Sequence, residues 1–136
     1  MLKKLLIGLC AIFVLGGCAG RNVPESIDGR RIYFEFDSAE ISTEAKQELI
    51  EVARFMKWNH DVNIIIEGHT DARGSAKYNL ALGSVRAANA AHVIYEYGIA
   101  ADRVNAVSFG KSRPVADGSG EEVWRLNRSA TIRVVE

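Results

Sequence analysis

From Arg30 to Phe36 apolar and polar positions alternate, with Ile32, Phe34 and Phe36 on one face and Tyr33 and Glu35 on the other, which predicts a first strand. Asp37 and Ser38 close it, and Ser42 is placed to cap a helix whose first turn holds Glu44, where the helix dipole favours an anion. Ala45, Leu49, Val52, Ala53 and Met56 then share one narrow arc at helical spacing, while charged residues fill the remainder, so this helix is amphipathic. A second strand runs from Val62 to Glu67. Its centre, Ile64-Ile65-Ile66, is apolar on both faces, as in the interior of a sheet.

A second helix is predicted from about Ala76 to Tyr97, stopped by Gly98, with small residues at Ala87, Ala88, Ala90 and Ala91 that permit close approach to the sheet. Val104 to Phe109 reads as a third strand ended by Gly110, and residues 111–120 as a polar loop containing Pro114. Glu121 to Leu126 fits a short helix docking Trp124, and a last strand alternates Ala130, Ile132 and Val134 with Thr131, Arg133 and Val135. The order is β-α-β-α-β-(short α)-β, an α/β (α+β) sandwich with helices packed on a mixed four-stranded sheet. A parallel crossover from the first strand to the second sets their carboxyl ends at one sheet edge, bringing Asp37 near Asp71.

The N-terminal pattern differs. Lys3 and Lys4 precede an apolar run from Leu5 to Leu15 that is too short to span a bilayer and ends in small residues, as an export signal does. Leu15-Gly16-Gly17-Cys18 reads as a bacterial lipobox, so residues 1–17 are expected to be a lipoprotein signal peptide and Cys18 the lipidated residue, carrying diacylglycerol and an N-acyl chain. Those chains make membrane lipid a partner, because two or more anchor stably. With Cys10 in the removed segment, Cys18 is the only remaining thiol and no disulfide within the chain is expected. Residues 18–29 are polar, carry Pro24 and Gly29, and read as the lipidated terminus and a short tether; residues 30–136 are expected to be one domain. The eleven tether residues after Cys18 reach at most about 36–40 Å. Removing Lys3 and Lys4 leaves acidic residues in slight excess, and no basic tract is interleaved with aromatics, so nucleic acid is not an expected partner.

Candidate chemistry gathers between Ile64 and Arg86. On a helical wheel Asn79, Gly83, Arg86 and Ala90 fall within about 40° of one another, flanked by Leu82, Val93 and Ile94, so Arg86 points with the apolar residues. An inward arginine needs an anion, and Asp71 is the candidate, either directly or with a ligand carboxylate between them. On residue types alone, a structural ion pair and a pocket for a zwitterion weigh about equally. Glu67, His69 and Asp71 alternate and so fit one strand face, which raises a divalent metal, but His60 and His92 lie at the wrong spacing to complete such a site. No serine sits in a nucleophile elbow. A binding domain without cofactor or metal is expected, rather than an enzyme.

Tyr33-Phe34-Glu35-Phe36-Asp37, Glu67-Gly68-His69-Thr70-Asp71, Arg73-Gly74, Tyr78-Asn79, Leu82-Gly83, Arg86-Ala87 and Asn127-Arg128 together resemble the OmpA-like peptidoglycan-binding domain family, in register from about Ile32 to Val135. The resemblance implies non-covalent binding of peptidoglycan through the diaminopimelate of its stem peptide, with Asp71 on the ammonium and Arg86 on the carboxylate. It implies further contributions from Asp37, Ser38 and Asn79, with Arg73 and Arg128 lining the mouth. It also implies an outer-membrane lipoprotein on the periplasmic side that supports envelope integrity and cell division. The alternative it leaves is an interaction module for the periplasmic β-propeller protein of the Tol system, with weak or alternating wall binding. Ala19 after Cys18 favours outer-membrane sorting. Two positions depart from the family pattern. Val85 stands where a second arginine is common, on the outer helix face, and Ser129 replaces an arginine expected at the rim.

Overall fold

The computed structural model describes residues 27–135; the expected signal segment and Cys18 lie outside the described residues. The elements are β1 (Arg31–Tyr33), α1 (Thr43–Trp58), β2 (Asn63–His69), α2 (Ala76–Glu96), a 3₁₀ turn (Ala101–Arg103), β3 (Val104–Gly110), α3 (Glu121–Asn127) and β4 (Ser129–Val135). The sheet order is β1-β4-β2-β3. β4 runs antiparallel to both its neighbours, and β2 runs parallel to β3. β1 and β2 therefore point the same way, and their carboxyl ends share an edge as expected, although β4 separates them.

Side-chain alternation decides which face is covered. Ile32, Ile64, Ile66, Ala130 and Ile132 point to the side where α1 and α2 lie, and form one core with Leu49, Val52, Met56 and Ile94. The apolar positions expected on α1 are all buried, and the Ser42 hydroxyl accepts the Ala45 amide at 3.1 Å as its cap. The other sheet face is not covered by a helix. Ile65 is half-buried there between Arg133 and Asn105, so the triple isoleucine run does not mark a strand covered on both sides. The expected tether boundary also moves. Ile27 is fully buried in the core and the Gly29 amide donates to the Ile132 carbonyl at 2.8 Å, so residues 27–29 are part of the folded unit.

One glycine pair sets the height of α2 over the sheet. Gly68 in β2 faces Gly83 in α2 so closely that a Cβ on Gly68 would stand 1.8 Å from the Gly83 carbonyl oxygen. The closest approach is thus at this glycine pair, one turn before the alanine-rich stretch that the sequence points to. At the other end of the layer Arg103 donates to the carbonyls of Met56, Asn59 and Val62, tying the α1–β2 turn to the start of β3.

Candidate functional site

At the shared edge of β1 and β2 lies a cavity of about 220 Å³, walled by Phe36, Asp37, Asp71, Arg73, Tyr78, Asn79, Leu82 and Arg86, among others. That is below the ~300–1,000 Å³ of pockets for drug-sized ligands, and suits one charged head group rather than a sugar chain.

Asp71 lies two residues past the end of β2 and is 5% exposed. Its carboxylate accepts the Arg73 amide at 3.1 Å, Arg73 Nε at 3.2 Å and an Arg73 terminal nitrogen at 2.8 Å; Arg128 stands 3.6 Å away. Burial pushes this carboxyl up, but the hydrogen bonds and charges of Arg73 and Arg128 outweigh it and hold it below the usual carboxylate range. The unfolded chain therefore binds that proton more readily than the folded one. Ionised Asp71 stabilises the fold fully above about pH 4, and the contribution fades as pH falls through the lowered value. Thermal unfolding followed from about pH 6 to pH 2 should show an acid-side loss that is smaller in Asp71→Asn. Identical curves for the two proteins would contradict this.

Arg86 is fully buried, and its partners are not those expected. No ion pair joins it to Asp71 among the described residues. Its Nε donates to the Ser38 carbonyl at 2.8 Å, and its terminal nitrogens donate to His69 at 2.9 Å and Glu35 at 3.1 Å, all backbone oxygens. Three of the five guanidinium N–H groups are thereby used. The side chain fastens the β1–α1 loop to the end of β2 while bordering the cavity. Burial lowers its pKa to about 10, against the pull of Asp71, so it remains cationic at neutral pH.

The other expected residues divide. Asp37 lines the cavity in the left-handed region, at φ 52°, which a short polar side chain tolerates, and it accepts the Tyr78 hydroxyl. Asn79 is buried on the inward stripe, but its amide nitrogen donates to the carbonyls of Arg73 at 2.7 Å and Ser75 at 3.0 Å. Those contacts make it a support for the 73–75 loop. Ser38 does not border the cavity; its carbonyl holds Arg86 and its hydroxyl accepts the Glu40 amide. Arg128 is buried behind Asp71 instead of at the mouth, with its Nε on the Phe34 carbonyl at 3.0 Å and a terminal nitrogen 2.6 Å from Glu121. Ser129, read as a rim position, is fully buried at the start of β4.

Phe36 was expected on the inward face of the first strand. β1 ends at Tyr33, and Phe36 is 60% exposed at the cavity mouth. Arg73 lies between its ring, at 4.0 Å, and that of Trp124, at 4.1 Å. The sandwich holds the Arg73 cation against Asp71. Thr70, Gly74, Tyr78 and Leu82 also line the cavity without having been selected from the sequence; for Tyr78 and Leu82 the helical spacing from Asn79 and Arg86 is the available signal. Glu67 and His69 border a different concavity on the uncovered sheet face, so they and Asp71 do not share one face. No group of three metal-ligating side chains occurs among the described residues.

The OmpA family pattern matches residues 33–128, most of the folded unit. A Mesorhizobium japonicum protein named peptidoglycan-associated lipoprotein is 32% identical over 150 residues, covering 94% of this chain and 89% of that protein. A Brucella melitensis protein of the same name is 39% identical over 102 residues, and the match spans 75% of this chain but 61% of that protein's length. The crystal structure of the peptidoglycan-associated lipoprotein from Burkholderia pseudomallei superposes with a TM-score of 0.76 at 37% identity, covering 78% of this chain and 90% of that one. The C-terminal domain of Helicobacter pylori MotB, 22% identical, shares the fold at a TM-score of 0.73, over 79% of this chain and 84% of its own. On the family pattern and these relatives, the chain belongs to the OmpA family.

Proposed function

We propose that this domain holds peptidoglycan non-covalently by the free amino-acid end of a diaminopimelate stem peptide. In this reading Asp71 takes the ammonium, and the N–H groups of Arg86 not used on carbonyls take the carboxylate. The observation that carries it is the arrangement of a buried, ionised Asp71 and a cationic Arg86 around one head-group-sized cavity. The names of the Mesorhizobium, Brucella and Burkholderia relatives, peptidoglycan-associated lipoprotein, support peptidoglycan as the polymer held. Arg73 already occupies part of Asp71, so the ligand ammonium enters beside or in place of its guanidinium. Its hold on the wall is binding without catalysis.

The proposal extends to the cell envelope. Cys18 would carry the lipid that anchors the protein to the outer membrane, with the domain on the periplasmic side. Residues 19–26 would then be the leash, about 26–29 Å when extended, which keeps the site close to the membrane. A Tol-system β-propeller protein would be a partner at the same mouth, where Phe36 and Tyr78 are exposed. Many copies on one wall would hold by avidity.

Pelleting with purified sacculi tests the site. Asp71→Asn keeps the shape but removes the charge, and should weaken pelleting at least about tenfold, the scale of one charge-assisted contact. A diaminopimelate peptide should compete; a lysine peptide, lacking the carboxylate for Arg86, should compete poorly. Equal pelleting of wild type and Asp71→Asn would reject the assignment.

A further inference from the structure

The sheet face left uncovered by helices carries a second concavity, of about 260 Å³. Strand register builds it. Arg31 of β1 pairs with Thr131 of β4, which pairs with Glu67 of β2, so the three stand side by side on this face. Arg133 follows two residues along β4, on the same side. From the loop after β3 comes Arg113. Its carbonyl accepts His69 Nδ1 at 3.0 Å, and its guanidinium lies 4.0 Å over the Phe109 ring, so the arginine is seated.

Two independent observations mark the concavity as a site for an anion. The first is charge. Three arginines, Arg31, Arg113 and Arg133, border it against one carboxylate, Glu67, which stands 3.5 Å from Arg133 Nε. Burial pushes the His69 imidazole down, against the pull of Glu67, so it does not add charge at neutral pH. The second is an unmet hydrogen-bonding group. Thr131 is 1% exposed and borders the concavity, and its hydroxyl has no hydrogen-bond partner among the described residues. A buried hydroxyl in that state costs free energy that a ligand oxygen would recover.

We propose that this concavity binds a phosphoryl group, with the Thr131 hydroxyl and the guanidinium groups of Arg31, Arg113 and Arg133 as donors. The donors come from two strands and a loop. A tetrahedral oxyanion offers acceptors in several directions, whereas a planar carboxylate satisfies one fork. The source is either a phospholipid headgroup, a phosphodiester with one charge, or a free phosphate or phosphomonoester with up to two.

Amide NMR shifts of the full chain, titrated with inorganic phosphate at constant ionic strength set by chloride, test the site. Saturable shifts are expected at His69, Arg113 and Thr131. Thr131→Val should weaken binding several-fold while leaving the melting temperature unchanged or higher, a combination that a structural role for the hydroxyl would not give. Arg113→Gln, an exposed change, should weaken it about tenfold. Glycerophosphoglycerol, the deacylated headgroup of an anionic lipid, is titrated in parallel. Binding at least as tight as phosphate assigns the site to lipid; weaker binding assigns it to free phosphate or a monoester. Asp71→Asn should leave these shifts unchanged, which separates the result from peptidoglycan binding. The absence of saturable shifts with either probe up to about 50 mM, or equal binding by both site variants, would overturn the proposal.

Discussion

Gly68→Ala is expected to leave the domain largely unfolded. The added Cβ would lie 1.8 Å from the Gly83 oxygen and 2.6 Å from its carbonyl carbon, both backbone atoms of α2. No rotamer change relieves that clash, so α2 must lift away from β2. Overpacking within a core costs about 1–3 kcal/mol when side chains can yield, and more when backbone must move. A cost above about 4 kcal/mol is a large part of the ~5–15 kcal/mol that holds a domain together. Gly83→Ala should be milder. Its Cβ meets the Ser108 hydroxyl at 2.3 Å, a group able to turn aside at the loss of its 2.7 Å bond to the Leu80 carbonyl. Circular dichroism melts of the two variants check the order. A Gly68→Ala protein that melts with wild type, or above Gly83→Ala, would show that the helix does not rest on this contact.

Arg86→Ala is expected to be nearly as damaging, for a different reason. The substitution strips three backbone carbonyls, those of Glu35, Ser38 and His69, of their shared donor, and leaves a cavity beneath the Phe34 ring, over which the guanidinium sits at 5.1 Å. Each buried acceptor left without its donor costs about 1–3 kcal/mol, so losing three together costs on the order of 3–5 kcal/mol even where water reaches one of them. For a domain near a hundred residues this corresponds to a fall in melting temperature on the order of 15–30 °C. Arg86→Lys should recover only part of it, because one ammonium cannot reach carbonyls on two separate segments as the planar fork does. A melting temperature for Arg86→Ala within about 3 °C of wild type would mean that water replaces the guanidinium without loss. Loss of wall binding in this variant mixes folding with recognition, so Asp71→Asn is the cleaner probe of the ligand.

Much of this was legible from side-chain periodicity. The buried arc of α1, its Ser42 cap, and the inward stripe of Asn79, Gly83, Arg86 and Ala90 follow from helical spacing and were placed correctly. The shared edge of Asp37 and Asp71 followed from element order. What periodicity does not carry is the identity of backbone partners. Arg86 reads as a cation in need of an anion because carbonyl oxygens have no sequence signature. Strand order is also non-local, so the insertion of β4 between β1 and β2 left no local trace. Phe36 misleads because the alternation continues in the sequence past the point where the chain leaves the sheet, at Tyr33. Ile27 misleads in the opposite sense, as a lone apolar residue in a polar stretch that proves to belong to the core.

β4 bonds to neighbours on both sides, and among the described residues it is the sole sheet partner of β1. Arg31 meets Thr131 a hundred residues away, so the first strand has nothing to pair with until the last one emerges. Closing so long a loop is entropically slow. In a chain that folds as it emerges from its N-terminus, β2, α2 and β3 can therefore assemble while β1 still lacks its partner, and the sheet gains an interior strand only when residues 129–135 arrive to lie between β1 and β2.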